Sequence, residues 1–186
     1  MRKILLALMA FLAIPAMAQP LGEVEPTDPA SWATVPANKP LVLSWASRDV
    51  HYAQSSVPRI IPITEISLTG WRGETLSALP LLRSRSGSQP LRLEMLSADA
   101  TTRQADSVAT ARFVRYVLCD EKRGCGDNLM NTPTYLVPDI IDVDTAWALV
   151  PMTTRPVWVS IQVPRNAQAG ANKLYLAVRD AQSHQE

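Results

Sequence analysis

Between Val157 and Val163, and again between Leu174 and Val178, apolar side chains fall on every second residue. Val157, Val159, Ile161 and Val163 alternate with Trp158, Ser160 and Gln162, while Leu174, Leu176 and Val178 alternate with Tyr175 and Ala177. A helix repeats its faces every 3.6 residues, so only an extended strand keeps such a set on one side. Strict alternation in β-branched and aromatic residues predicts half-buried strands. Trp158 then falls opposite the apolar face of its strand.

Weaker copies of the same period lie upstream. Leu41, Leu43 and Trp45 share a face, and Leu91, Leu93 and Met95 alternate with Arg92 and Glu94. In the run from Phe113 to Leu118 both phases are largely apolar, which predicts a strand buried on both sides. Leu136 to Val143 suggests a further short strand. Ile60 to Leu68 suggests a strand kinked at Pro62, and Trp71 to Leu82 fits a strand or a short helix. The turn-rich stretch Pro164–Gly170 has the size of a hairpin loop. The polar stretch Ser97–Ala111 is expected to be a loop. With 15 prolines in 186 residues, long helices are disfavoured throughout. The expected fold is all-β: a two-sheet antiparallel β-sandwich, Ig-like or galactose-binding-like.

The N-terminus carries a different signal. Arg2 and Lys3 precede an apolar run from Ile4 to Ile14, followed by Ala16-Met17-Ala18. This is the layout of a secretory signal peptide cleaved after Ala18, and the run is too short for the roughly 20 residues of a membrane-spanning helix. The expected organisation is a signal peptide over 1–18, an extended lead-in over 19–40 with one helical turn near Ser31-Trp32, the sandwich over 41–180, and a polar tail or linker over 181–186. The expected location is periplasmic or secreted. Cleavage leaves 168 residues with 16 basic and 17 acidic side chains and no basic block, so nucleic acid is not an expected partner. In an oxidising compartment Cys119 and Cys125, with five residues between them, are expected to form a disulfide closing a small loop.

Catalytic patterns are scarce. His51 and His184 are the only histidines, and His184 sits in the polar tail. There is no G-x-S-x-G nucleophile elbow, no G-x-G-x-x-G and no Walker lysine. The acidic residues Asp139, Asp142 and Asp144 flank a strand but miss the EF-hand spacing, so they are expected to be solvated, not metal ligands. No cofactor and no metal are expected. Of five tryptophans, at 32, 45, 71, 147 and 158, Trp71 and Trp158 are candidate contacts for a sugar ring or a neighbouring domain.

Several segments, taken in order, resemble one family. Leu68-Thr69-Gly70-Trp71-Arg72-Gly73-Glu74-Thr75 is similar to the Trp-Arg-Gly-Glu segment of the N-terminal sandwich in glycoside hydrolase family 123 proteins. Arg112-Phe113-Val114-Arg115-Tyr116-Val117 resembles its central strand, and Cys119 to Gly126 the loop after it. Arg155 to Val163-Pro164 and then Ala169-Gly170 resemble its closing pattern, with Ala169 in place of a proline and Asn172 in place of a tyrosine. The resemblance covers most of Trp32 to Arg179.

Enzymes of that family are β-N-acetylgalactosaminidases assisted by the substrate's own acetamido group, with an Asp-Glu pair in a C-terminal (β/α)₈ barrel. The resemblance therefore implies no catalytic residue in this chain. It implies an accessory domain of a secreted glycoside hydrolase of the hexosaminidase class, with that barrel as partner through the face bearing Trp158. Arg72, Glu74 and Arg115 match motif positions and are candidates for structural ion pairs. A free-standing carbohydrate-binding module and a periplasmic structural or adhesion sandwich are the alternatives.

Overall fold

The structure, a computed structural model, describes residues 29–36, 38–39, 41–97, 108–119 and 135–182. The expected signal peptide, the first part of the expected lead-in, Cys125, most of the 97–111 stretch and His184 lie outside the described residues. A four-residue helix, α1 (Pro29–Trp32), precedes eight strands: β1 (Val42–Ala46), β2 (Thr75–Ser84), β3 (Leu91–Ser97), β4 (Ala109–Cys119), β5 (Tyr135–Ile141), β6 (Ala146–Trp147), β7 (Thr153–Gln162) and β8 (Leu174–Asp180).

The strands form two antiparallel sheets, one ordered β1-β2-β7-β4-β5 and the other β6-β3-β8. Alternation explains what lies between them. Ala78 and Leu82 of β2, Val157 and Val159 of β7, and Ala109 and Phe113 of β4 meet Leu91 and Met95 of β3 in one buried cluster. Leu174, Leu176 and Val178 of β8 and Trp147 of β6 pack against it. Leu82, Val157 and Val159 are wholly buried, and each such side chain stabilises the fold by about 1.5–3 kcal/mol.

The segment from Trp71 to Leu82 resolves into a turn followed by strand β2. Ile60 to Leu68 is not a strand; it runs irregularly beside the edge of β1. Trp45 donates its amide to the Ile63 carbonyl at 2.9 Å, the Ile63 amide donates to Ser44 Oγ at 3.0 Å, and the Trp45 indole donates to the Thr64 carbonyl at 3.0 Å. Pro58 and Pro62 lack the donors for a regular ladder, so this segment blunts an edge that would otherwise invite pairing.

Prolines also enter the centre of the large sheet. The β2–β7 ladder is interrupted between Ala78↔Val159 and Leu81↔Pro156. Pro80 sits in that interval and Pro156 at its end, and neither supplies an N–H.

The outer face of the large sheet is covered as well. Tyr52, Leu79 and Leu81 form a second buried cluster, packed by Ala46, Ile60 and Trp158. Trp32 is fully buried, and its indole donates to the Ser55 carbonyl at 2.8 Å. Leu79 to Ser84 and Thr153 to Val157 are consequently buried at every position. Trp158 lies on this outer face, as alternation requires, and is half-buried under the chain's own segment after β1.

The connector between β7 and β8 is not a hairpin loop. It carries the chain from one sheet to the other. With it at one end of the sandwich lie the turn before β2 and the start of β4, joined by hydrogen bonds from the Gly73 amide to Val163 O (2.8 Å) and from the Gln162 amide to Val108 O (2.7 Å). The β2–β3 turn, Leu149 and the end of β8 lie at the other end, where Ser88 donates to Leu149 O and Ala181 to Pro90 O.

Candidate functional site

Two places concentrate chemistry-bearing side chains, and they do different things. The first lies where β4 leaves β7. Their ladder ends at Phe113↔Val157, and beyond it the Val114 carbonyl would lack a strand partner. Arg155 supplies one, donating from Nη1 at 2.9 Å while itself only 4 % exposed.

Its guanidinium carbon stands 4.4 Å from the Trp147 ring centre and 5.1 Å from that of Tyr116. Flat cation faces stack on aromatic rings in this way. Arg115 lies against the same indole at 5.4 Å, and Phe113 tilts against it at 6.3 Å. The Tyr116 hydroxyl donates toward the carbonyls of Tyr52 (2.9 Å) and Thr154 (3.1 Å).

Arg115 also donates from Nε (2.9 Å) and Nη2 (2.7 Å) to Asp142 Oδ2, and its Nη2 lies 3.5 Å from Asp144. Asp142 is 4 % exposed. Burial alone would raise its carboxyl. The amides of Asp144 and Val143 and the Arg115 guanidinium outweigh that and hold it below the usual carboxylate range. Asp142 and Asp144 are thus engaged with Arg115, while Asp139 is exposed. Among the described residues no group of three or more His, Cys, Asp or Glu could hold a metal ion. This assembly ties β6 of one sheet to β4 and β7 of the other.

The second place is the turn Trp71-Arg72-Gly73-Glu74. The Glu74 amide donates to Trp71 O at 3.1 Å, and Glu74 Oε2 accepts the Trp71 amide at 2.7 Å. Gly73 at the third position has φ +82°, as a type II turn requires. Val163 brackets the turn, accepting from the Gly73 amide and donating to Glu74 O, both at 2.8 Å.

The outcome is a Trp71 side chain 84 % exposed on a turn fixed by five backbone groups. Beside it runs an open groove of about 370 Å³, lined by Gly73, Val108, Gln162, Val163, Pro164 and Arg165. The Arg165 stem lies over Gly73, with Cγ 3.4 Å from where a Cβ would stand. Glu74 therefore caps a turn, and among the described residues neither it nor Arg72 forms an ion pair.

His51 is exposed in the loop after β1. Cys119 closes β4, and its expected partner Cys125 lies outside the described residues. No helix among the described residues is long and apolar enough to cross a membrane.

Sequence inspection missed Arg155 and Asp142 as partners in the stacked cluster. For Arg155 a signal existed: it is in phase with Val157, Val159 and Ile161, so alternation points it inward.

The model of the glycoside hydrolase 123 N-terminal domain matches residues 45–180. The fold is similar to part of a solved family 123 glycoside hydrolase from Clostridium perfringens, a structure analysed for glycolipid glycan hydrolysis. The TM-score is 0.57 at 18% sequence identity, with 79% of this chain and 26% of that chain covered. The chain thus spans about a quarter of that protein's length. No curated protein matches.

Proposed function

Because this chain belongs to the glycoside hydrolase 123 N-terminal domain family, we propose that it is a non-catalytic accessory domain that supports or orients a catalytic barrel of the hexosaminidase class. The extent of the likeness carries this. The family match runs from Trp45 in β1 to Asp180 at the end of β8, and the same fold occupies about a quarter of a glycoside hydrolase. The remainder of such an enzyme has room for the machinery of bond cleavage.

The charged residues that do converge support the same role. Arg115 pairs with Asp142 and Arg155 holds the Val114 carbonyl, both arginines stacking on Trp147, contacts that tie strands together. The signal-like segment Met1–Ala18 favours a periplasmic or secreted location, where polymeric glycans are met.

Joining the chain to the barrel of a family 123 glycosidase tests the role. The joined protein should melt at least about 4 °C above the isolated barrel, the shift expected from a little over 1 kcal/mol. Equal melting temperatures and equal activity would overturn the proposal.

A further inference from the structure

We propose that the Trp71 corner is a binding site for a neutral glycan, in which a pyranose ring stacks on the indole while its hydroxyls engage Gln162 and Arg165 along the adjoining groove. This goes beyond an accessory role, which requires only a folded sandwich.

Three observations lead there. Trp71 is 84 % exposed, yet its backbone is pinned before any partner arrives: its amide is held by Glu74 Oε2, its carbonyl by the Glu74 amide, and the turn by two hydrogen bonds to Val163. A platform ordered in advance loses little conformational freedom on binding.

The surroundings have the right chemistry. The groove two residues away joins apolar Val108, Val163 and Pro164 to the amide of Gln162 and the guanidinium of Arg165. Sugars present an apolar C–H face and a rim of hydroxyls, and an aromatic plate beside a few polar groups matches both. Ile63 is bonded beside Trp45 on the β1 edge, and within the turn Trp71-Arg72-Gly73-Glu74 the indole is the one apolar side chain, unlike the wide apolar centre of a protein interface.

Chain direction separates this corner from the end of β8. β8 begins beside the groove connector and runs to the opposite end, where Ala181 donates to Pro90 O. Seven residues of strand separate the two ends by about 23 Å. A domain attached after Gln182 would start on the side away from Trp71.

Isothermal titration of the chain with cellotetraose, chitotetraose and a β-linked galactosyl tetrasaccharide tests this. At least one should bind with Kd near about 1 mM or tighter, and Trp71→Ala should weaken it about tenfold, the loss of one ring contact. Trp71→Phe should retain most of the affinity, and Trp158→Ala, which alters the covered face, should leave the tetrasaccharide affinity unchanged if the variant melts as a folded protein. Absence of binding to all three sugars, or undiminished binding by Trp71→Ala, would overturn the site. If Trp71→Ala instead lowers only the melting temperature of the barrel-joined protein, the corner is a domain contact and the glycan proposal fails. The accessory role would survive either result, since it is read from the joined protein's melting.

Discussion

The Arg155 guanidinium lies 4.4 Å from the centre of the Trp147 indole, although the two residues belong to different sheets. Trp147 also meets Arg115 and Phe113, so one side chain joins β6 to both β4 and β7. Trp147→Ala should lower unfolding free energy by about 3 kcal/mol, from lost burial and from a buried cation left without its ring. Trp147→Phe, which keeps a stacking face, should cost about half as much. Urea unfolding followed by circular dichroism measures both.

The Tyr116 hydroxyl bridges the segment after β1 to strand β7 through the carbonyls of Tyr52 and Thr154. Tyr116→Phe keeps the ring but removes the donor, and should cost about 1–2 kcal/mol because the carbonyls are then left unsatisfied in a buried place. Amide exchange should speed up selectively near Tyr52 and Gln54.

Acid should weaken the fold through Asp142. Its carboxyl titrates below the usual range in the folded protein, so the folded state holds that proton less tightly than the unfolded chain. The stability it contributes is complete above about pH 4, the ordinary aspartate value, and is lost as pH falls through the lower folded value. Asp142→Asn should flatten the urea-midpoint profile below about pH 4.

Two glycines with the same φ of +82° should differ in tolerance. At Gly73 a Cβ meets only the flexible Arg165 stem at 3.4 Å, whereas at Gly87 it would stand 2.9 Å from the Leu149 backbone oxygen. Gly73→Ala should cost about 1–2 kcal/mol from the left-handed backbone alone. Gly87→Ala should cost about 3 kcal/mol or more, since backbone must also move. Thermal melts of the two variants rank them.

Much of the fold was legible because alternation reports directly on strands. Leu91, Leu93 and Met95, and Val157, Val159 and Ile161, face the core as their period requires. What hid the rest is irregular structure. The segment from Ser47 to Ile66 has no period, so nothing in it announced that Tyr52 and Ile60 would cover the outer sheet face and half-bury Trp158. A connector's length could not tell a hairpin from a crossing between sheets, and so the route from β7 to β8 was misjudged.

At the candidate sites, residue type misled more than position. Arg115 was noted from its motif position, but its partner is Asp142, 27 residues away in sequence. The phase of Arg155 with Val157 and Val159 points it inward, but a guanidinium is an unexpected core group until a ring is found to stack on it. Trp71 was noted from the motif, whereas its exposure depends on the turn hydrogen bonds, which sequence does not display.

The most direct test is an activity assay on the chain by itself, with circular dichroism as the control for folding. The account predicts a cooperative β spectrum and no release of aryl alcohol from aryl N-acetylgalactosaminides at any enzyme concentration. Turnover that scales with protein concentration and is abolished by a single substitution in this chain would contradict it.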